Sequence, residues 1–332
     1  MDFLWFDILG TPAWMWLTFI TIVITLLALD LGVLHKKSTE IGIRESFLLS
    51  AFYMSLGLAF GGWVWWQSGQ QAGLEYLTGF VVEKSLAMDN IFVIAMIFGY
   101  FAIPRAYQHR VLLWGILGVI VLRGIMIAAG ASIVENYHWV LYLFAAFLIL
   151  TGIKMLLTAD KEYDVSGNPV LRFLRRHLPV TEKLEGHRFF VRREDATSGR
   201  MKTYVTPLFL ALVMVELADL VFAVDSIPAV FAITTDPFIV YTSNIFAILG
   251  LRALYFALSA LIHRFAYLKY ALSVVLIFIG AKIFVADMLG LAKIPPLVSL
   301  GATVAILAAG ILGSLWATRN EEKAGTKTLA QE

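Results

Sequence analysis

Apolar residues run along this chain in unbroken stretches rather than in alternation. Residues 8–29, 46–74 and 294–318 contain no charged side chain. Each stretch is long enough to cross a hydrocarbon core ~30 Å thick as a helix rising ~1.5 Å per residue. Reading such runs between polar breaks predicts nine spans, near 12–34, 46–67, 75–101, 110–132, 138–158, 203–231, 237–260, 267–288 and 294–317. All are expected to be helical, because an isolated segment in lipid must satisfy its backbone internally. The short alternating segments of a barrel are not seen. The expected fold class is an all-α polytopic membrane protein.

Lysine and arginine in the loops set the expected orientation. Lys36, Lys37, Arg44, Arg105, Arg110, ten basic residues from Lys161 to Lys202, Arg264, Lys269, Arg319, Lys323 and Lys327 fall on one side, and Lys293 alone on the other. This places the N-terminus outside and the C-terminus in the cytoplasm. Tryptophans 14, 16, 63, 65, 66, 114, 139 and 316 fall near predicted span ends, as interfacial anchors do. The organisation expected is 1–74 with spans 1 and 2, 75–158 with spans 3–5, a cytoplasmic loop 159–202, 203–288 with spans 6–8, and 289–332 with span 9 and a tail. The loop is too short for an enzymatic domain. Its stretch 169–178 has the spacing of a basic amphipathic helix, a surface element suited to headgroups or to docking a protein partner.

Composition narrows the function. Only 15% of the 332 residues are charged and 60% are apolar, against about 25% charged in soluble domains. There is no cysteine, which excludes disulfides, thiolate metal sites, iron–sulfur clusters and thiol redox chemistry. A net charge of +2 with scattered basic residues speaks against a nucleic-acid partner. Asp2 and Asp7 precede an apolar run too long for a signal peptide, so the chain is read as mature from Met1.

Ten ionisable residues nevertheless fall deep within predicted spans: Glu83, Lys84, Asp89, Arg123, Lys154, Glu216, Asp219, Asp225, Arg252 and Lys282. At ~3 kcal/mol each, independent insertion would cost ~30 kcal/mol, more than a domain's stability. They must pair, line a wet cavity or bind something. They also recur. Glu83, Ala87, Asp89 and Ile91 match Asp219, Ala223, Asp225 and Ile227 at an offset of 136. Leu122-Arg123 matches Leu251-Arg252 at 129, and 142–154 matches 270–282 at 128, including Gly152-x-Lys154 against Gly280-x-Lys282. Spans 3–5 therefore repeat as spans 6–8. Three spans per copy is an odd number, so the copies should be inverted across the bilayer, an arrangement common in secondary transporters with a midplane site.

The chemistry of that site follows from its inventory: carboxylates, Asn90, Ser85, Ser226, Ser243 and Asn244, with all six histidines in loops or at span ends. Hard oxygen ligands suit Mn²⁺, Mg²⁺ or Ca²⁺ rather than Zn²⁺ or Cu⁺. Glu83 and Asp89, six residues apart, do not share a helical face, whereas Glu216 and Asp219 do. One ion would draw Asp89 and Asp225 from opposite copies, unless the helices are broken there. Pro228 is a candidate break. Arg123 and Arg252 are read as counter-ions to the empty carboxylates. Lys84, Lys154 and Lys282 are further counter-ion or gating candidates, with snorkelling to headgroups an equal reading for Lys154 and Lys282.

At 83–93, 216–229 and 234–253 the sequence resembles the TerC family of bacterial integral membrane proteins, most closely its Alx branch, over nearly the whole chain. The resemblance implies a multi-pass protein of the bacterial inner membrane that exports Mn²⁺, ahead of Ca²⁺ or Mg²⁺, with no prosthetic group. Its implied metal path comprises Glu83, Asp89, Glu216, Asp219 and Asp225, with Asn90 secondary. Ser226 and Asn244 are further ligand candidates. Proton-coupled antiport would follow if the same carboxylates take up H⁺ when the metal leaves. The alternative is a non-transporting membrane stress factor, tied to tellurite resistance or redox modulation through partners. An intramembrane aspartyl protease built on Asp89 and Asp225 would leave the buried basic residues unexplained, so no enzymatic activity is expected.

Overall fold

In a computed structural model the residues described are 5–32, 42–158, 165–194, 200–258, 268–291 and 294–329. Lys36, Lys37, Lys161, Arg264 and Lys293, which contribute to the charge asymmetry, lie outside the described residues. A short hairpin, β1 (Asp7–Ile8) with β2 (Thr11–Pro12), leads into α1 (Ala13–Gly32). There follow α2 (Ile43–Ser68), α3 (Gln70–Tyr100), α4 (Arg105–Asn136) and α5 (Val140–Leu157). A non-membrane insert carries α6 (Pro169–His177) and the antiparallel strands β3 (Phe190–Glu194) and β4 (Met201–Val205). The chain returns as α7 (Pro207–Phe231), α8 (Pro237–Leu249), α9 (Leu251–Leu258), α10 (Leu268–Met288) and α11 (Pro296–Leu329).

Seven helical segments among the described residues are long and apolar enough to cross a membrane: Arg44–Ser68, Arg105–Asn136, Val140–Leu157, Pro207–Phe231, Pro237–Leu258, Leu268–Met288 and Pro296–Thr318. Ala13–Leu29 is apolar but shorter. The fold is an all-helical polytopic membrane protein. Outward-facing Leu48, Phe52, Val121, Ile125, Leu150 and Leu312 are exposed, as side chains facing lipid should be.

α3 touches α2, α7, α8, α9, α10 and α11, which explains how it carries Glu75, Glu83, Lys84 and Asp89 in one helix: its charged positions face protein, not lipid. The α8–α9 segment is enclosed on almost every side. Its start is specified locally, with Asp236 as N-cap accepting from the amides of Phe238 (2.9 Å) and Ile239 (3.3 Å), and Pro237 at the first helical turn. α3 packs on α8 as α7 packs on α4, and α5 lies along α10.

The α5–α10 contact is reciprocal. A Cβ at Gly152 would lie 2.8 Å from the Ser273 carbonyl and 2.6 Å from Ile277, while one at Gly280 would lie 2.5 Å from the Ala145 carbonyl and 2.9 Å from Ile149. Each residue on one helix thus has its counterpart 128 positions away on the other. Partner numbers fall along α10 as they rise along α5, so the two helices run antiparallel. Glycine is required at both places because backbone meets backbone.

Two expectations are corrected. α7 runs without interruption through Asp225 and Pro228, and α3 through Asp89. Pro228 falls in the last turn of α7, and the one backbone bond its missing amide forgoes, to the Val224 carbonyl, does not end the helix. The helix is interrupted instead at Gly250, between α8 and α9. In α6, capped by Asn168 at its N-terminus, Leu171 and Leu174 pack into the core cluster that includes Phe101, Val205 and Leu208. Arg175 lies over the rings of Tyr100 (5.6 Å) and Phe101 (5.9 Å). Its leucine face is therefore packed on the helical bundle and is not available to acyl chains, while Phe173 is exposed.

Candidate functional site

Arg123 of α4 is the hub of the buried polar network. It is the largest fully buried side chain among the described residues, 1% exposed, and is reached from α3, α7 and α8 at once. Its Nη1 donates to Glu83 Oε1 in a short ion pair, to Ser226 Oγ at 3.1 Å and to Asn244 Oδ1 at 2.9 Å. Its Nε and Nη2 donate to Asp219 Oδ2 and Oδ1, both at 3.2 Å. Asn90 Nδ2 approaches Asp219 Oδ1 at 3.5 Å. The planar guanidinium suits this task because it presents donors in a fixed fork that a carboxylate can accept in two places.

Two carboxylates against one guanidinium leave an excess of negative charge, and three oxygens in this region lack hydrogen-bond partners: Glu83 Oε2, Asn90 Oδ1 and Glu216 Oε2. Glu216 lies against α4 where Gly118 has no side chain, since a Cβ there would overlap its carboxylate. Beside the network is a cavity of about 20 Å³, lined among others by Asn90, Gly115, Val119, Asp219, Phe222 and Arg252. Its volume is about that of one water, and most of its wall is apolar, with Ile94, Leu112, Ile116 and Ile248 among the lining residues. A larger cavity of about 230 Å³ lies at the end of the bundle away from α6, among His138, Tyr142, Phe231, Thr235, Lys282 and Asp287.

The other candidates sit apart from Arg123. Asp225 accepts from Thr151 Oγ1 of α5 at 3.2 Å and feels the charge of Lys154 on the same helix. Asp89 feels Lys269 of α10. Asp225 of α7 thus meets α5, and Asp89 of α3 interacts with the charge on α10. Arg252, expected as a counter-ion to the carboxylates, hydrogen-bonds His109 Nε2 at 3.0 Å. Lys84, 7% exposed, donates to the Ala247 carbonyl at 3.0 Å, just before the Gly250 interruption. Lys154 is exposed and Lys282 half-buried. No three His, Asp or Glu side chains among the described residues converge as a preformed metal cage.

Thr151, His109 and the Ala247 carbonyl were not legible as site components. Thr151 stands out only as a hydroxyl one residue before the repeated Gly-x-Lys, His109 reads as a loop residue, and a backbone carbonyl leaves no trace in side-chain chemistry.

Comparison with known proteins gives a match to the model of the integral membrane protein TerC family over residues 68–322. An uncharacterized membrane protein of Myxococcus xanthus is 47% identical over 315 residues, covering 95% of this chain and 96% of that protein. Another, from Rickettsia bellii (strain RML369-C), is 47% identical over 300 residues, covering 90% and 96%. A Salmonella typhi protein with the name "Putative membrane-bound redox modulator Alx" is 43% identical over 323 residues, covering 95% and 97%. No solved structure matches the chain.

Proposed function

The chain belongs to the TerC family of integral membrane proteins, and on that premise we propose that it is a divalent-cation carrier rather than an enzyme, exporting Mn²⁺ in exchange for protons. The observation that carries the reading is Arg123, fully buried and bridging Glu83 of α3 to Asp219 of α7. In this reading Arg123 is the resident counter-ion of an empty site. A divalent cation that reaches the network competes with the guanidinium for Asp219 and Glu83. The unpartnered oxygens of Glu83 and Asn90 complete a hard-oxygen set that favours Mn²⁺ over softer metals. When the metal leaves, the carboxylates return to Arg123 or take up protons, which couples the two fluxes.

The reciprocal Gly152 and Gly280 contacts support two inverted three-helix repeats, α3–α5 and α7–α10, with α8 and α9 together acting as one span. With α1, α2 and α11 this makes nine spans, oriented N-terminus outside by the loop charges, in the bacterial inner membrane. Asp89 and Asp225 occupy matching stations on either side of the Arg123 network, secondary positions along the path.

The test is Mn²⁺ flux into proteoliposomes under an imposed pH gradient. Gradient-driven flux is expected for the native protein, and its loss for Glu83→Gln and Asp219→Asn. Absence of flux from folded protein would sink the carrier reading. It would favour the stress-factor reading that the name of the Alx relatives suggests, which would have to act through partners, since this chain has no thiol of its own.

A further inference from the structure

The insert between α5 and α7 is not absorbed by a transport path, and its geometry points to a specific use. β4 ends at Val205 and α7 begins at Pro207, so the hairpin is fused to the start of a membrane helix without a linker. Thr206 fastens the incoming strand to this point: its amide donates to the Phe189 carbonyl (3.0 Å) and its hydroxyl to the Arg188 carbonyl (2.7 Å). Segment 188–190 is thereby held at the level where α7 enters the bilayer. There Phe190 is 52% exposed, and its ring packs 4.7 Å from that of Phe209, in the first turn of α7. Arg188 and Arg192 flank it, both exposed. Arg192 shares the Phe190 face of β3 by strand alternation. Arg193, on the opposite face, is committed to Glu185.

An exposed aromatic at the membrane boundary, flanked by guanidiniums, has the composition of an interfacial anchor. A soluble acidic partner would match the arginines but would leave Phe190 and Phe209 facing lipid. We propose that the Phe190 edge of the hairpin is a docking site for anionic phospholipid, with Phe190 and Phe209 at the acyl boundary and Arg188 and Arg192 on the headgroup phosphate. The docked lipid would hold the insert against the ends of α4 and α7, where Arg110 already lies over the Phe189 ring at 5.1 Å.

The full-length protein is placed in nanodiscs of pure phosphatidylcholine or with one-third phosphatidylglycerol, and amide exchange is followed across 186–205. Lipid retained after detergent release is weighed by native mass spectrometry. Phosphatidylglycerol should protect the hairpin and be retained preferentially. Since each basic residue near an anionic surface contributes about fivefold, Arg188→Gln/Arg192→Gln should lower retention by more than tenfold, and Phe190→Ser should lower it for both lipids. Arg172→Gln, on α6, is the control and should leave it unchanged. Equal protection in both lipids, retention unaltered in the double variant, or protection that appears only when other membrane proteins are present would overturn the proposal. The substituted side chains are exposed, and a native elution profile checks that they fold.

Discussion

Arg123 and Asp219 face each other as a two-pronged pair, Nε to Oδ2 and Nη2 to Oδ1, each at 3.2 Å. The geometry fixes α4 to α7, and Glu83 on the remaining nitrogen adds α3. Removing one member of such a set leaves buried charge without compensation, whereas removing all of it need not.

Arg123→Gln is therefore expected to destabilise the protein by about 3–5 kcal/mol, read from reversible unfolding in detergent. Adding Glu83→Gln and Asp219→Asn to that variant should recover most of the loss. If the triple variant is as unstable as the single, the network holds the fold by shape rather than by charge.

The α5–α10 contact makes a prediction about symmetry. Gly152→Ala would press a methyl group onto the Ser273 carbonyl, and Gly280→Ala onto the Ala145 carbonyl. Backbone cannot retreat as a flexible side chain can, so each should cost about 1–3 kcal/mol, and the two costs should be alike. Thermal unfolding of both variants checks this. A harmless substitution at one glycine and a severe one at the other would speak against the proposed repeat.

The legibility of this site followed the cost of its residues. Glu83, Arg123 and Asp219 were visible in the sequence because an ionisable side chain in a span is expensive and so demands an explanation. Gly152 and Gly280 were visible because they sit in the matched Gly-x-Lys. The division of labour between Arg123 and Arg252 was not legible, since each follows a leucine in matching Leu-Arg pairs of the sequence. Only the packing places His109 beside Arg252 and two carboxylates beside Arg123. Nor was the true helix interruption: proline advertises a break, but α7 continues through position 228 to Phe231. Gly250, which does interrupt, is one of 25 glycines in a chain where glycine often serves close packing. Seven of the apolar runs fall on helices long and apolar enough to cross a membrane, because length and apolarity decide that question in lipid, while α3 and α4 began about a turn earlier than their hydropathy suggested.

At the start of α8, Asp236 offers a pH test outside the spans. Burial raises its carboxyl pKa, the two backbone hydrogen bonds at the cap oppose this, and the charge of Glu75 adds to the rise. The folded state therefore favours the protonated form. Its stabilising effect is full below the ordinary aspartate range, about pH 4, and is lost as pH climbs through the raised value. Asn keeps the capping oxygen without the charge. The melting temperature of native protein relative to Asp236→Asn should fall as pH rises from about 3.5 to 7. A difference that grows with pH would mean that the charged carboxylate is the favoured cap. Asp236→Ala, which loses the cap altogether, should be less stable than Asp236→Asn by about 1 kcal/mol at any pH.

Lys84 and Gly250 give the last test. The ammonium of Lys84 donates to the Ala247 carbonyl, in the final turn of α8, where unpaired carbonyls and the negative end of the helix dipole both attract a cation. A Cβ at Gly250 would lie 3.2 Å from Lys84 Nζ and 2.9 Å from Tyr53 Cβ. The lysine end is flexible and can withdraw, but the base of the tyrosine side chain cannot. Gly250→Ala should thus cost about 1–3 kcal/mol, most of it against Tyr53. Lys84→Met should be nearly neutral, because the lost hydrogen bond is offset by relief from burying a charge. Combined, the two should add to within about 0.5 kcal/mol. A coupling well above that would show that Lys84, rather than Tyr53, sets the geometry of the interruption. The double-mutant cycle in detergent unfolding decides between them.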